Sequence, residues 1–246
     1  MGVIDTDAAG PSAGTARASP GRTVAIAFGL TVAAFLLALV GGIAFLIPVL
    51  ILGLDIESTP VFLALTVAGQ LGFVAVGYGY ARYAGMEIPI TRPSAREVGY
   101  ALGGAVAAFV VAVVLSVAVD ALGLTPGSVI DDAAAIDRTV MLGIGALSIF
   151  IVAPAEEFLF RGVIQGRLRR AFGPVAAIAG ASLLFGSLHL TNYTGALSAV
   201  VAGAAIIVCV GSVFGVLYEW TGTLTVPIIG HAVYNVVLSL IAYAAL

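Results

Sequence analysis

Seven apolar runs, each long enough to cross a hydrocarbon layer about 30 Å thick as a helix, follow one another along most of this chain. No other feature constrains its folding as much. The spans are expected over about 24–52, 61–83, 97–119, 139–165, 174–191, 196–218 and 224–245. A hydrophobic fraction of 61%, a charged fraction of 9% and a mean hydropathy of +1.16 exclude a soluble globular domain. The expected fold is therefore all-α, a polytopic transmembrane helical bundle of about seven spans.

Charge and cysteine usage narrow the function classes. A formal net charge of −3 offers nothing to nucleic acid. Cys209 stands alone, so no intrachain disulfide or cysteine metal site can form.

The loops predict how the chain is threaded. Arg17 and Arg22 precede the first span, Arg82, Arg92 and Arg96 follow the second, and Arg167, Arg169 and Arg170 follow the fourth. The alternate connections hold Asp55, Glu57, Asp120, Asp131, Asp132 and Asp137 with only Arg138. Positive residues stay on the cytoplasmic side. The reading is a multi-pass cell-membrane protein with its N-terminus in the cytoplasm and its C-terminus outside. Residues 1–22, rich in Ala, Gly, Ser, Thr and Pro, are expected to form a disordered cytoplasmic tail. Residues 23–138 would hold helices one to three, and residues 139–246 helices four to seven.

Ionisable side chains inside lipid cost roughly 2.5–3.5 kcal/mol each even on the gentlest scales, which makes them functional candidates. Glu156, Glu157, Arg161, His189 and His231, with Asn235, all fall in the last hundred residues. Glu157 and Arg161 are four apart with the acid first, the favourable order for an ion pair on one helix face. Glu156 points about 100° away and gains no such partner, which leaves it available as a general base. Gln70 is the main polar residue inside the first three spans, and an interhelical hydrogen bond accounts for it. Small residues at Gly195, Ala199, Gly203, Gly211 and Gly215 predict close backbone approach by a neighbouring helix.

A hairpin is expected to turn at Phe172-Gly173-Pro174, because Gly suits a helix end and Pro a helix start. Glu156 lies 17 residues before Gly173 and His189 lies 16 after it. Two regular helical arms would set them level to within about 2 Å. His231 and Asn235, four apart, share a face of the last span. A carboxylate, two imidazoles and an amide in one cavity are the parts needed to activate water and stabilise an oxyanion.

Those residues also resemble a family. Glu156-Glu157-Phe158-Leu159-Phe160-Arg161-Gly162 is similar to the E-E-x-x-x-R motif of the CAAX-protease and bacteriocin-processing (CPBP, or Abi) intramembrane proteases. Phe185-Gly186-Ser187-Leu188-His189 is similar to their F-x-x-x-H motif. Thr221-Gly222-Thr223-Leu224, Pro227-Ile228 and His231-Ala232-Val233-Tyr234-Asn235 resemble the closing T-G-S-L…P-I-x-x-H-x-x-x-N motif, with Thr223 where the family often has serine. The likeness covers about residues 139–246.

The resemblance implies a membrane-embedded protease with a cavity reached from the cytoplasm, acting on a lipidated or membrane-associated peptide or protein. In the type II CAAX prenyl endopeptidases of this family, the last three residues after a prenylated cysteine are removed. Carried over, Glu156 and His189 would activate water, His231 and Asn235 would stabilise the oxyanion, and Glu157 with Arg161 would support them. The favoured reading needs no cofactor. The H-E-x-x-H zinc spacing is absent, but Glu156, His189 and His231 could supply three ligands to a zinc ion. Rival readings are a proton-coupled transporter with a Glu/His relay and a non-catalytic immunity or scaffold protein. Oligomeric state is left open.

Overall fold

The structure, a computed structural model, describes residues 19–246. Residues 1–18 of the expected tail, Arg17 among them, lie outside the described residues. Its last part is corrected, because Pro20, Gly21 and Arg22 are already helical, with Pro20 at a helix start where its missing N–H costs nothing.

Among the described residues, seven long apolar helices match the seven expected spans, and the protein is an all-α, multi-pass membrane bundle. They are α1 (Pro20–Ile51), α2 (Thr59–Tyr83), α3 (Ala95–Ala121), α5 (Thr139–Phe172), α6 (Pro174–Asn192), α7 (Leu197–Thr221) and α8 (Thr225–Ala245). A short α4 (Val129–Ile136) lies between α3 and α5. Large apolar side chains such as Val40, Leu50, Ile51, Val106 and Val175 are exposed on the outside of the bundle. In water such a surface would drive association; against lipid tails it is the natural covering.

The fold is centred on α5, which packs against α1, α2, α6, α7 and α8. Seven consecutive residues of α5, Leu159 to Gln165, are buried, so this helix has no lipid-facing stripe in that stretch. One apolar core joins α1, α5 and α6 through Ala27, Leu159, Phe160, Ile164 and Phe185. A second joins α3, α7 and α8 through Ala105, Ala108, Phe214, Val226 and Tyr234.

The α5–α6 turn forms as the sequence predicts. Gly173 has φ +81°, a left-handed conformation that side chains disfavour, and Pro174 starts the next helix. The α5 arm is not regular, however, and α6 changes its winding where His189 begins. Within α5, Ser148–Val152 and Phe158–Gln165 are π-helical, on either side of an α-helical Ala153–Glu157. On α6, His189 begins a 3-10 turn, His189–Asn192. The level placement of Glu156 and His189 by counting residues therefore rests on a regularity that the α5 arm lacks between Glu156 and Gly173, although the α6 arm is α-helical up to Leu188.

The loops gather at two ends of different charge. At one end, β1 (Gly127–Ser128) pairs antiparallel with β2 (Tyr193–Thr194), joining the loop before α4 to the loop before α7. Thr59, Asp137 and Thr139 bond there, and the Arg138 guanidinium lies 4.8 Å from the Tyr243 ring. At the other end, the segment after α2 is tied to the start of α8. Leu224 N–H donates to Pro89 O at 2.8 Å, Thr91 N–H to Thr223 Oγ1 at 3.2 Å, and Thr225 Oγ1 to Thr91 O at 2.8 Å. Thr223, the one departure from the closing motif, thus pins two loops together and lies away from the ionisable groups.

The small residues of α7 do something other than expected. A Cβ on Gly211 would meet Arg161 Nη2 at 2.9 Å, and one on Gly215 would meet Gln165 Oε1 at 2.9 Å. One on Gly203 would meet Pro126 and the Tyr193 ring at 3.0 Å. These glycines make room for side chains, two of them polar, and do not serve backbone-to-backbone contact. That closer approach is made at Gly186, where a Cβ would come 3.0 Å from Ala204 O.

Candidate active site

Pro154 and the two π-helical stretches shape the centre of α5. Proline cannot donate an intrahelical hydrogen bond, and π turns recur at functional positions of helices. Between them Glu156 and Glu157 are presented side by side, both buried.

Glu157 is the hub. Its Oε1 lies 3.1 Å from Arg161 Nη1 and 2.7 Å from His231 Nδ1. The expected pair with Arg161 is present, but as a close ionic contact, since Nη1 makes no aligned hydrogen bond. Arg161 is held by Nη2 donating to Gly211 O at 2.7 Å and by the Phe185 ring 4.6 Å from its guanidinium carbon. One turn further, Gln165 Nε2 donates to Gly215 O at 3.0 Å and to Glu219 Oε1 at 3.2 Å; another turn on, Arg169 pairs with Glu219 at 2.9 Å. Residues 161, 165 and 169 of α5 thus run in register along 211, 215 and 219 of α7.

Glu156 is not without partners, contrary to what helix geometry alone implied. Gln70 Nε2 donates to its Oε1 at 3.0 Å, and His231 Nε2 lies 3.8 Å from its Oε2. Gln70 is the interhelical hydrogen bond expected of it, but its partner is the candidate base.

The histidine environments set their tautomers. An ionised carboxylate or a carbonyl only accepts. His231 therefore donates from Nδ1 to Glu157, and His189 from Nδ1 to Phe185 O at 2.9 Å. This leaves both Nε2 atoms for chemistry. The His231 ring stacks on Phe214 with centroids 4.9 Å apart and meets the edge of Phe185 at 6.1 Å, so it sits where the two apolar cores join. Asn235, one turn along α8, donates from Nδ2 to Ser148 Oγ at 3.3 Å. Its second N–H is uncommitted.

Glu156, His189, His231 and Asn235 all line one cavity of about 540 Å³, whereas Glu157 and Arg161 lie behind it. The volume is in the range of sites for small molecules or short peptide segments. Its wall is mostly apolar, with Leu65, Phe73, Ile144, Val152 and Leu238 beside the polar groups. At its rim Tyr193 is held above the usual phenol range, first by burial and then by the charge of Asp131, so it stays a neutral donor.

Sequence reading missed the contributions of Ser148, Phe214 and Gln165. Gln165 had a signal, four residues after Arg161. The others look like ordinary residues of an apolar span.

The zinc alternative needs three converging donors. Among the described residues no group of three or more His, Cys, Asp or Glu side chains is placed to hold a metal ion. The positions of Glu156, His189 and His231 therefore do not fit a three-ligand site.

Comparison with known proteins agrees with the motifs. Residues 138–237 match the family described as Type II CAAX prenyl endopeptidase Rce1-like, and this segment contains Glu156, Glu157, Arg161, His189, His231 and Asn235. The resemblance read from the sequence is thereby borne out for that part of the chain. The uncharacterized protein YpbD of Bacillus subtilis (strain 168) is 33% identical over 87 residues, 35% of this chain and 39% of YpbD. The chain thus spans about two fifths of the length of that relative. No solved structure matches.

Proposed function

We propose that this protein is an intramembrane endopeptidase in which Glu156 activates water for attack on a peptide bond. The observation that carries the reading is that Glu156, His189, His231 and Asn235, drawn from three helices, line a single cavity. The match of residues 138–237 to a prenyl endopeptidase family supports the same class of reaction.

The chemistry follows from the donors and acceptors. Glu156 and the free Nε2 of His189 hold a water molecule by accepting its two hydrogens. Glu156 takes one proton as the water oxygen bonds to the scissile carbonyl carbon, the step of general base catalysis. The carbonyl oxygen gains negative charge and is met by the uncommitted N–H of Asn235 and by Nε2–H of His231. For His231 to donate there while Nδ1–H serves Glu157, the ring must be imidazolium. That state balances the charges, because Glu156 and Glu157 then face Arg161 and His231. Collapse of the intermediate breaks the C–N bond, and the proton on Glu156 passes to the leaving amine. The water's second proton leaves the new carboxyl group through Nε2 of His189 to the amine, so the products are a carboxylate and an ammonium.

The apolar cavity wall suits a substrate with a lipid or large apolar side chains next to the scissile bond. A prenylated C-terminal peptide is the family's own substrate type and the first to test. Purified protein in detergent should cleave a quenched-fluorescent prenylated peptide. Glu156→Gln should reduce the rate by about 10²–10⁴-fold, while a strong chelator leaves it unchanged. Loss with chelator would make the reaction metal-dependent. Failure of the unmodified protein to cleave either prenylated or unprenylated peptides, together with substrate-dependent proton flux in proteoliposomes, would replace the protease reading with the transporter.

A further inference from the structure

We infer that substrates reach Glu156 from the extracytoplasmic face, and that they are membrane-attached peptide segments carrying basic residues near the scissile bond. The inference rests on the protease reading for what enters, and on the architecture alone for the side of entry.

The cavity is closed at the end that carries the arginines. Behind Glu156, the side chains of Glu157, Arg161 and Gln165 follow one another at single-turn intervals, each with 0% exposure. Leu159, Phe160, Val163 and Ile164 of the same stretch and Leu224 and Val226 of the closing motif are equally buried. Ile88, from the segment after α2, packs on Gly162, where an added Cβ would meet it at 3.0 Å. The bonds of Thr91 and Pro89 to Thr223, Leu224 and Thr225 fasten that segment across the end of the bundle. A peptide arriving there meets packed core.

The other end is open. The cavity walls continue past Asn235 to Ser128, Val129 and Asp131 beside β1 and to Asn192 and Tyr193 beside β2. Val129 is exposed, and so is Asp131. The two-residue β1–β2 ribbon is therefore the rim of the mouth.

Charge identifies the two ends. Among the described residues, Arg82, Arg92, Arg96, Arg167, Arg169 and Arg170 lie at the closed end, against Arg138 alone at the open end. Arginine excess in short loops marks the cytoplasmic side. The mouth then faces out, the opposite of the cytoplasmic access that the family resemblance implies. Asp131, with Asp132 and Asp137 nearby, gives the entrance a negative field, which favours positively charged segments. A cytosolic prenylated C-terminus would stand on the wrong side of the membrane.

The test uses the full chain with Cys209→Ala as background and a single cysteine at either end, Asp131→Cys or Arg170→Cys. A membrane-impermeant maleimide applied to intact cells should label Asp131→Cys and spare Arg170→Cys, with the pattern reversed in inverted vesicles. The opposite labelling overturns the inference, and this result needs no enzymatic activity. In detergent, coupling a polymer maleimide to Asp131→Cys should slow cleavage of a basic quenched peptide at least tenfold relative to the same variant uncoupled. Coupling at Arg170→Cys should change it less than twofold. A larger effect at Arg170→Cys would place the entrance at the arginine end and overturn the inference. Absence of cleavage before any coupling would count against the protease reading, and the labelling would still decide the side.

Discussion

Oε1 of Glu157 lies 2.7 Å from Nδ1 of His231, so the second glutamate of the first motif holds the histidine of the last. The same oxygen is 3.1 Å from Arg161 Nη1. Removing one member of a buried charged set leaves the others without compensation, at a cost of about 3–5 kcal/mol. Arg161→Met should therefore destabilise the protein by that amount. Glu157→Gln combined with Arg161→Met should cost less than the two single changes added together. Unfolding in mixed micelles with increasing sodium dodecyl sulfate measures this. Additive losses would show that the two side chains do not act as a unit.

Gln70 is outside every motif yet donates to Glu156 at 3.0 Å. Misplacing a reacting group by about 1 Å can cost about 100-fold in rate. Gln70→Leu should lower kcat by about 10–100-fold on that scale and leave KM within about twofold. Steady-state kinetics on a peptide substrate distinguishes this from a substrate contact, which would raise KM at unchanged kcat.

Gly211 is adjacent to the buried arginine, where an added Cβ would lie 2.9 Å from Nη2 and 3.0 Å from the Phe185 ring. Neither neighbour can move freely, because Arg161 is tied to Gly211 O and Phe185 is packed in a core. Gly211→Ala should cost about 1–3 kcal/mol by overpacking. Gly29→Ala, with nothing within 4 Å of the new carbon, should cost nothing measurable in the same micelle unfolding assay. Equal behaviour of the two variants would contradict the close fit at Gly211.

Asp137, at the open end between α4 and α5, is held below the usual carboxylate range. The Thr59 hydroxyl is the largest cause, followed by the hydroxyl and N–H of Thr139. A depressed folded-state value adds stability above the unfolded-state value, about 4, and that stability is lost as pH falls through the folded one. Thr59→Val removes the first partner. The melting temperature of the unmodified protein should therefore exceed that of Thr59→Val at pH 7, with the gap closing as the pH is lowered below about 4. A gap that does not change between those conditions would assign the effect of Thr59 to packing alone.

The number and type of elements were legible from the residues alone, because an apolar run of about 20 residues has few other ways to satisfy its backbone in lipid. The sequence also singled out Glu156, Glu157, Arg161, His189, His231 and Asn235, since ionisable and amide groups are conspicuous where lipid penalises them. The Glu157–Arg161 pair and the turn at Gly173 were legible for the same reason: both depend on neighbours a few residues away.

Which groups meet across the bundle emerges only from the packing of the helices. Residue counting from Glu156 to Gly173 presumes a regular helix, while the π-helical Phe158–Gln165 changes both rise and facing within that stretch. The bonds from Gln70 to Glu156 and from His231 to Glu157 join residues 86 and 74 positions apart, and nothing in either local pattern encodes the partner. The access route was decided there as well. A cavity is a property of the surfaces of several helices at once, and the burial that closes one end and opens the other appears only when those surfaces are brought together.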